Sequence, residues 1–328
     1  MAQVIWLASY PKSGNTWTRA LLAGYFGEGA FDLNHLGAEM ALGGLRSLGD
    51  LLGIDPHLLH PDELLAMRPA AAHRLAADVV DRETPAIHKL HSANHDATPG
   101  EPVFPAGAGR ALYVVRDPLD VAASWAPFFG VSHDRAVETM GDEDFVLNKS
   151  RGRFRTIMPE PLLSWSGHVL SWIDRPGVPV HVLRYEDLKA DTAGAFAAAL
   201  AFIGEAESVE AVDMERVEAA VEASRFERMQ KKEAEEGFRE HARMATAPFF
   251  RKGKTGGWRT ELTADQARRI VSDHREVMER LGYGDSIAEV EALPADAVRA
   301  DGSSVAPVGA TPADGEPAPQ EAASEEPA

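Results

Sequence analysis

An apolar run, Val4-Ile5-Trp6-Leu7, leads into Ser9-Tyr10-Pro11-Lys12-Ser13-Gly14-Asn15-Thr16-Trp17. An amphipathic stretch follows, with Trp17, Leu21 and Tyr25 at helical spacing, Leu22 beside them and Gly27 as a stop. The order is strand, tight loop, helix. At such a junction the unpaired N–H groups of the first helical turn converge, and the helix dipole makes that spot attractive to an anion. Lys12 adds a full positive charge, Gly14 permits a turn that other residues resist, and the small or hydroxylated Ser13, Gly14 and Thr16 let an anion approach the backbone. The loop is expected to cradle a phosphate.

Further along, strands alternate with helices. Ala86 to His91 reads as a short strand, and Arg110 to Arg116 as a clearer one, nearly continuous in apolar residues as buried parallel strands are. Asp117-Pro118 starts a helix running to about Phe129, with proline at a position that tolerates it. A helix is predicted over Pro161 to Trp172, a strand over Val180 to Leu183, and helices over Ala193 to Ile203 and Met214 to Ala223. Residues 28 to 85 are mixed, with short helices in Gly43 to Leu52 and Pro61 to Met67. Residues 232 to 257, with charge clusters and glycines, read as a mobile loop. Thr263 to Leu281 reads as a closing helix with Thr263 and Gln266 as a capping box, Ala267, Ile270, Val271, Val277 and Met278 on one face, and Gly282 as its stop.

This alternation predicts a single α/β domain, a parallel sheet flanked by helices on both faces, with ligands at the carboxyl ends of the strands. A chain of 328 residues, 45% hydrophobic, can bury such a core. The domain is expected over residues 1–290. Residues 291–328 are expected to be a disordered tail of mainly Ala, Pro, Glu, Gly and Ser, acidic beyond Arg299.

A formal net charge of -18 and a pI of about 5.1 exclude a general nucleic-acid binder, so any anion site must be local. The absence of cysteine excludes disulfides, a thiolate nucleophile and cysteine-held metal, and it fits a reducing compartment. No basic leader and no run of about 18 apolar residues is seen, so neither a signal peptide nor a membrane anchor is expected, and the cytoplasm is the expected location. The twelve histidines include no His-Glu-x-x-His or comparable spacing, so no metal is expected.

Three more segments carry chemistry. Arg116-Asp117-Pro118-Leu119-Asp120-Val121-Ala122-Ala123-Ser124 sets a serine eight residues after an arginine that ends a strand, an offset close to two helical turns. Phe249-Phe250-Arg251-Lys252-Gly253-Lys254-Thr255-Gly256-Gly257-Trp258 supplies adjacent cations and a glycine whose N–H can meet the same oxygen atoms. In Lys89-Leu90-His91, strand alternation puts residues 89 and 91 on one face and His88 on the other.

Together, and in this order, the four segments resemble the sulfotransferases that use 3′-phosphoadenosine-5′-phosphosulfate (PAPS), of the soluble cytosolic or bacterial type. The resemblance covers roughly residues 3 to 284. It implies a P-loop-like fold and in-line transfer of a sulfuryl group to a hydroxyl, or as the lesser alternative an amine, of a small-molecule acceptor. Adenosine 3′,5′-bisphosphate would be left and no metal required. In that scheme Lys12 stabilises the bridging oxygen, Lys89 the sulfuryl oxygens, and His91 is the general base, with His95 as the other candidate. Lys12, Ser13, Gly14, Asn15, Thr16 and Trp17 form the phosphosulfate loop. Arg116 and Ser124, with Arg251, Lys252 and Gly253 behind Phe249 and Phe250, hold the 3′-phosphate. Trp17 and Phe226 stack on adenine, with Tyr185 and Ser224 nearby.

Two departures from the animal cytosolic enzymes stand out. Asn15 replaces threonine, and their dimer motif, Lys-x-x-x-Thr-Val-x-x-x-Glu, stands here as Arg259, Thr263, Ala264 and Arg268, with its last charge reversed; no oligomeric state is predicted. One rival reading is a nucleotide kinase, which would want Gly-Lys-Ser/Thr and an acidic magnesium ligand at a strand end, where this chain has Arg116. The other is a non-catalytic sensor of the 3′-phosphorylated nucleotide. The acceptor is not legible; residues 28 to 80 and 128 to 160 are expected to line its pocket.

Overall fold

The computed structural model describes residues 3–36, 42–79, 84–148, 157–175, 177–204, 207–242 and 244–294. The expected acidic tail lies outside them from residue 295 on, as do residues 37–41 and 149–156 of the stretches expected around the acceptor.

Four parallel strands, β1 (Val4–Ser9), β2 (Ala86–Leu90), β3 (Arg110–Val115) and β4 (Val180–Arg184), form the central sheet in the order β2-β1-β3-β4. Leu7 of β1 lies level with Lys89 of β2 and Leu112 of β3. Because side chains alternate along a strand, Trp6, Ala8, Tyr113 and Val115 enter one core while Ile5, Leu7, Leu112 and Val114 enter another. Every residue of β1 is buried, so the strand reads as an unbroken apolar run.

Helix α1 (Asn15–Phe26) packs over one face with the helices Thr192–Phe202 and Met214–Ala223. The other face is covered by α2 (Pro118–Phe129) and by the helices Trp165–Ile173 and Ala264–Arg280. Asp117 caps α2 by accepting from the Leu119 N–H, and the capping box forms at Thr263 and Gln266, with bonds of 2.9 and 3.2 Å. Among the described residues no helix is long and apolar enough to cross a membrane.

Several boundaries differ from expectation. The helix predicted from Pro161 starts at Trp165, capped by Ser164, because Glu160 and Pro161 pair antiparallel with Val146 and Leu147. Residues 232–236, expected in a loop, end the helix α3 (Phe226–Glu236); its charges form an exposed face, and Gly237 at φ 73° ends it. Helices Arg68–Asp78, His133–Gly141, Tyr185–Ala190 and Gly284–Glu291 were not foreseen, the last packing on the closing helix. Arg259 pairs with Glu289, and Arg268 donates to the carbonyls of Leu293 and Pro294, so both charges are engaged within the chain.

Candidate active site

The carboxyl ends of β1, β2 and β3 open onto one cavity. Gly14, at φ 110°, makes the turn from β1 into α1, and a Cβ there would lie 2.8 Å from the Tyr185 ring, so only glycine fits. Lys12 is also in the left-handed region, at φ 70°. Gly14, at the N-cap of α1, has no side chain with which to cap the first turn, and no acid stands in that turn, which suits its N–H groups to an anion. The Lys12 ammonium rests 3.6 Å from the Phe128 ring centroid and 4.0 Å from that of Phe249.

Arg116 ties two of the sequence segments together. It donates to the carbonyl of Lys254 at 2.9 Å and to that of Lys12 at 3.4 Å, and its guanidinium lies over the Tyr185 ring. Asp120, one helical turn on and buried, accepts from the N–H groups of Gly256 (2.7 Å) and Trp258 (3.0 Å) and faces Arg116 at 3.5 Å. The Arg251 side chain donates to the Ala123 carbonyl, beside Ser124, and with Lys252 it pairs with Glu261. Burial works against the Glu261 carboxylate, but His133, Arg251 and Lys252 outweigh it and hold its pKa down at about 2. Gly253, at φ 58°, presses on the Phe226 ring, which a Cβ would meet at 2.3 Å. The backbone N–H groups of Phe249 and Phe250 donate to Glu233 of α3, which fixes the approach to Arg251.

His91 is held at several points. Its backbone N–H donates to Glu160 and its carbonyl accepts from Nε2 of His168 at 2.8 Å. Burial lowers the His168 pKa to about 3, so that ring is neutral, and its Nδ1 accepts from the Tyr113 hydroxyl. The His91 ring places Nδ1 2.9 Å from the Ser9 carbonyl. A carbonyl only accepts, so Nδ1 carries the proton and the lone pair of the neutral ring is on Nε2. Beside it, Lys89 donates to Glu240 at 3.0 Å, and Arg19 grips the same carboxylate with two bonds of 2.7 Å. Burial opposes the Glu240 charge, yet the two cations hold its pKa far below the usual carboxylate range.

Of the expected site residues, Lys12, Gly14, Asn15, Thr16, Trp17, Lys89, His91, Arg116 and Ser124 line this one cavity, together with Tyr185, Phe226, Phe249, Phe250, Arg251, Lys252 and Gly253. Ser13 and Ser224 are fully buried and do not line it; His95 does not line it either, and its Nδ1 donates to the Ala93 carbonyl. His88 turns to the opposite face, against Trp6. The Asn15 side chain donates to the Leu7 carbonyl and the Ser9 hydroxyl and accepts from Arg19.

Arg19, Asp120, Lys189, Glu240 and Glu261 were missed. Asp120 and Arg19 stand four residues after Arg116 and Asn15, a spacing that could have found them. Glu240 and Glu261 carry no local signal. Among the described residues no group of three or more His, Asp or Glu is placed to hold a metal.

Residues 3–282 match the family model of the sulfotransferase domain, and the chain belongs to that family: it is a sulfotransferase. Cytosolic sulfotransferase 17 of Arabidopsis thaliana is 26% identical over 284 residues, covering 84% of this chain and 75% of that protein. Cytosolic sulfotransferase 16 of the same plant is 25% identical over 271 residues, covering 80% and 72%. Mouse sulfotransferase SULT7A1, solved with PAP, superposes with a TM-score of 0.52 at 22% identity over 88% of each chain. Retinol dehydratase, solved with retinol and PAP, gives 0.50 at 19% identity over 85% of this chain and 82% of its own. These two likenesses establish the fold.

Proposed function

We propose that the protein transfers the sulfuryl group of PAPS to a hydroxyl, with an amine as the lesser alternative, of a small-molecule acceptor, leaving adenosine 3′,5′-bisphosphate (PAP). The observation that carries this reading is His91. Its Nδ1 donates to the Ser9 carbonyl, which makes Nε2 the basic nitrogen of the neutral ring, and the residue stands with Lys89 in the cavity that the loop at Lys12 opens onto.

The residues present suit the donor. The uncapped turn of α1 and Lys12 fit the 5′-phosphosulfate, while Arg116, Ser124, Arg251, Lys252 and the Gly253 backbone fit the 3′-phosphate that sets PAPS apart from ATP. Trp17 and Phe226 line the cavity and would stack on adenine, with Tyr185 nearby. PAPS, when bound, supplies an activated sulfuryl group on a phosphate leaving group. With PAPS bound, His91 Nε2 would take the acceptor's proton as its oxygen attacks sulfur, while Lys89 would neutralise charge on the sulfuryl oxygens and Lys12 charge on the bridging oxygen as its bond to sulfur breaks. Positioning and charge neutralisation supply most of the acceleration, as in phosphoryl transfer. The bound retinol of retinol dehydratase supports a small hydroxyl compound as acceptor, and the two plant relatives' names support a cytoplasmic location.

The test is transfer of label from radiolabelled PAPS to an acceptor panel and a cell lysate. The intact protein is expected to label at least one compound. His91→Ala should retain PAP binding but lose about 100- to 10,000-fold in rate. Tight PAP binding by the intact protein with no transfer to any acceptor would overturn the reading in favour of a nucleotide sensor.

A further inference from the structure

The mechanism above leaves Arg19 and Glu240 without a part, although Arg19 is buried and the half-buried Glu240 lines the cavity. Glu240 lies on the irregular segment that follows α3, 151 residues from Lys89 and 221 from Arg19. Arg19 cannot swing: its Nε donates to Asn15 Oδ1 at 3.2 Å and its Nη2 to Thr16 Oγ1 at 3.1 Å, so it presents a fixed fork. Both Glu240 oxygens dock on that fork at 2.7 Å, and Oε2 also accepts from Lys89 at 3.0 Å. The side chains of Arg19, Lys89 and Glu240 are 4%, 5% and 28% exposed.

A lysine ammonium is a compact charge on a flexible four-carbon stem, with no preferred direction of its own. A rigid acceptor gives it one. A staple for the covering segment needs Arg19 alone, so the second bond, to Lys89, calls for another explanation. Two cations share one carboxylate, which relieves their mutual repulsion and leaves a net positive charge at the cavity wall. Through Arg19, Asn15 and the Ser9 hydroxyl, the same chain of bonds reaches the His91 ring.

We propose that Glu240, locked by Arg19, is a positioning residue for Lys89: it aims the ammonium at the sulfuryl group in flight and ties the covering segment to the reacting centre. This rests on the reading of the cavity as a sulfuryl-transfer site. PAP lacks a sulfuryl group, so its binding is not expected to depend on the direction of Lys89.

Glu240→Gln keeps the shape and removes the charge; Glu240→Asp keeps the charge on a shorter stem and serves if the first variant does not fold. Three measurements are made on each full-length protein. They are acylation of Lys89 relative to Lys12 in nucleotide-free protein by peptide mass spectrometry, PAP affinity by calorimetry, and kcat and KM for PAPS. In Glu240→Gln the acylation ratio is expected to rise several-fold, PAP affinity to change by less than about threefold, and kcat to fall about 10- to 100-fold with KM nearly constant. Glu240→Asp should recover part of kcat. An unchanged acylation ratio, an unchanged kcat, or a kcat loss matched by equal losses of PAP affinity and Tm would overturn the proposal. If the intact protein binds PAP and transfers nothing, the sulfuryl reading fails, and the acylation ratio still decides whether Glu240 positions Lys89.

Discussion

His91 donates its Nδ1–H to the backbone carbonyl of Ser9 across 2.9 Å. The two residues stand just beyond β2 and at the end of β1, neighbouring strands, so the orientation of the imidazole is set by the sheet. The Ser9 hydroxyl adds a longer contact to the same nitrogen at 3.3 Å and accepts from Asn15 at 3.2 Å.

Ser9→Ala therefore leaves the main orienting bond in place. Its kcat is expected to fall by less than about tenfold, the scale of one modest hydrogen bond. A loss above a hundredfold in steady-state assays would mean that the hydroxyl, not the carbonyl, orients the ring.

Asp120 joins the Arg116 segment to the loop that follows Arg251-Lys252-Gly253, through two backbone N–H groups. Removing it leaves those donors unpaired and Arg116 without its counter-charge. Asp120→Ala is expected to weaken PAP about 10- to 100-fold, or roughly 1.4–3 kcal/mol, while AMP, without a 3′-phosphate, weakens less. Calorimetry with both nucleotides checks this, and an equal loss for the two would dissociate Asp120 from 3′-phosphate recognition.

Gly253→Ala pushes a methyl group into the Phe226 ring and keeps a left-handed backbone that alanine resists. Strain of about 1–3 kcal/mol is expected, shared between Tm and nucleotide affinity. Phe226→Leu should relieve part of it in the double variant, giving a coupling of about 0.5 kcal/mol or more in a double-mutant cycle. Strict additivity would show that the ring is not the obstacle.

Asp117 gives the fold a pH dependence. Burial is the main cause that raises its pKa from 3.8 to about 7; the neighbouring Asp120 and Glu186 push the same way, against hydrogen bonds from Ser286 and the Leu119 N–H. Between those two values the folded state holds the proton more tightly than the unfolded chain, so stability is full below pH ~4 and is lost as pH rises through about 7, by at most about 1.4 kcal/mol per pH unit. Asp117→Asn keeps an N-cap and has no such proton. In denaturant titrations it should gain on the parent by about 1–3 kcal/mol between pH 4 and pH 8. Parallel curves would assign the pH dependence to other groups.

Much of this architecture was legible beforehand. Val4 to Trp17 announced a strand, a turn and a helix because those are short-range properties: an unbroken apolar run, glycine freedom and helical spacing. Lys89 and His91 share a cavity, and His88 does not, because a strand alternates faces. The helix predicted from Pro161 starts instead at Trp165, because Glu160 and Pro161 pair with Val146 and Leu147, a pairing that no helical pattern records. Ser13 and Ser224 were assigned by their place in a motif, which says nothing of where a buried hydroxyl points.

Asn15 shows the limit most clearly. Read along the chain, it is one more polar group in a phosphate loop; in the fold its side chain also points into the protein, linking Arg19 to the Ser9 hydroxyl. The order of residues was enough to suggest an anion-binding turn, the cations and, through the resemblance, the candidate base, since each is read from neighbours within a few positions. Which carboxylate meets which cation was left to folding. Glu240 reaches Lys89 across 151 residues, and Glu261 meets Arg251 across a loop whose Gly256 and Trp258 N–H groups donate to Asp120. Charge pairing depends on distance in space, and distance along a chain of this length carries almost none of that information.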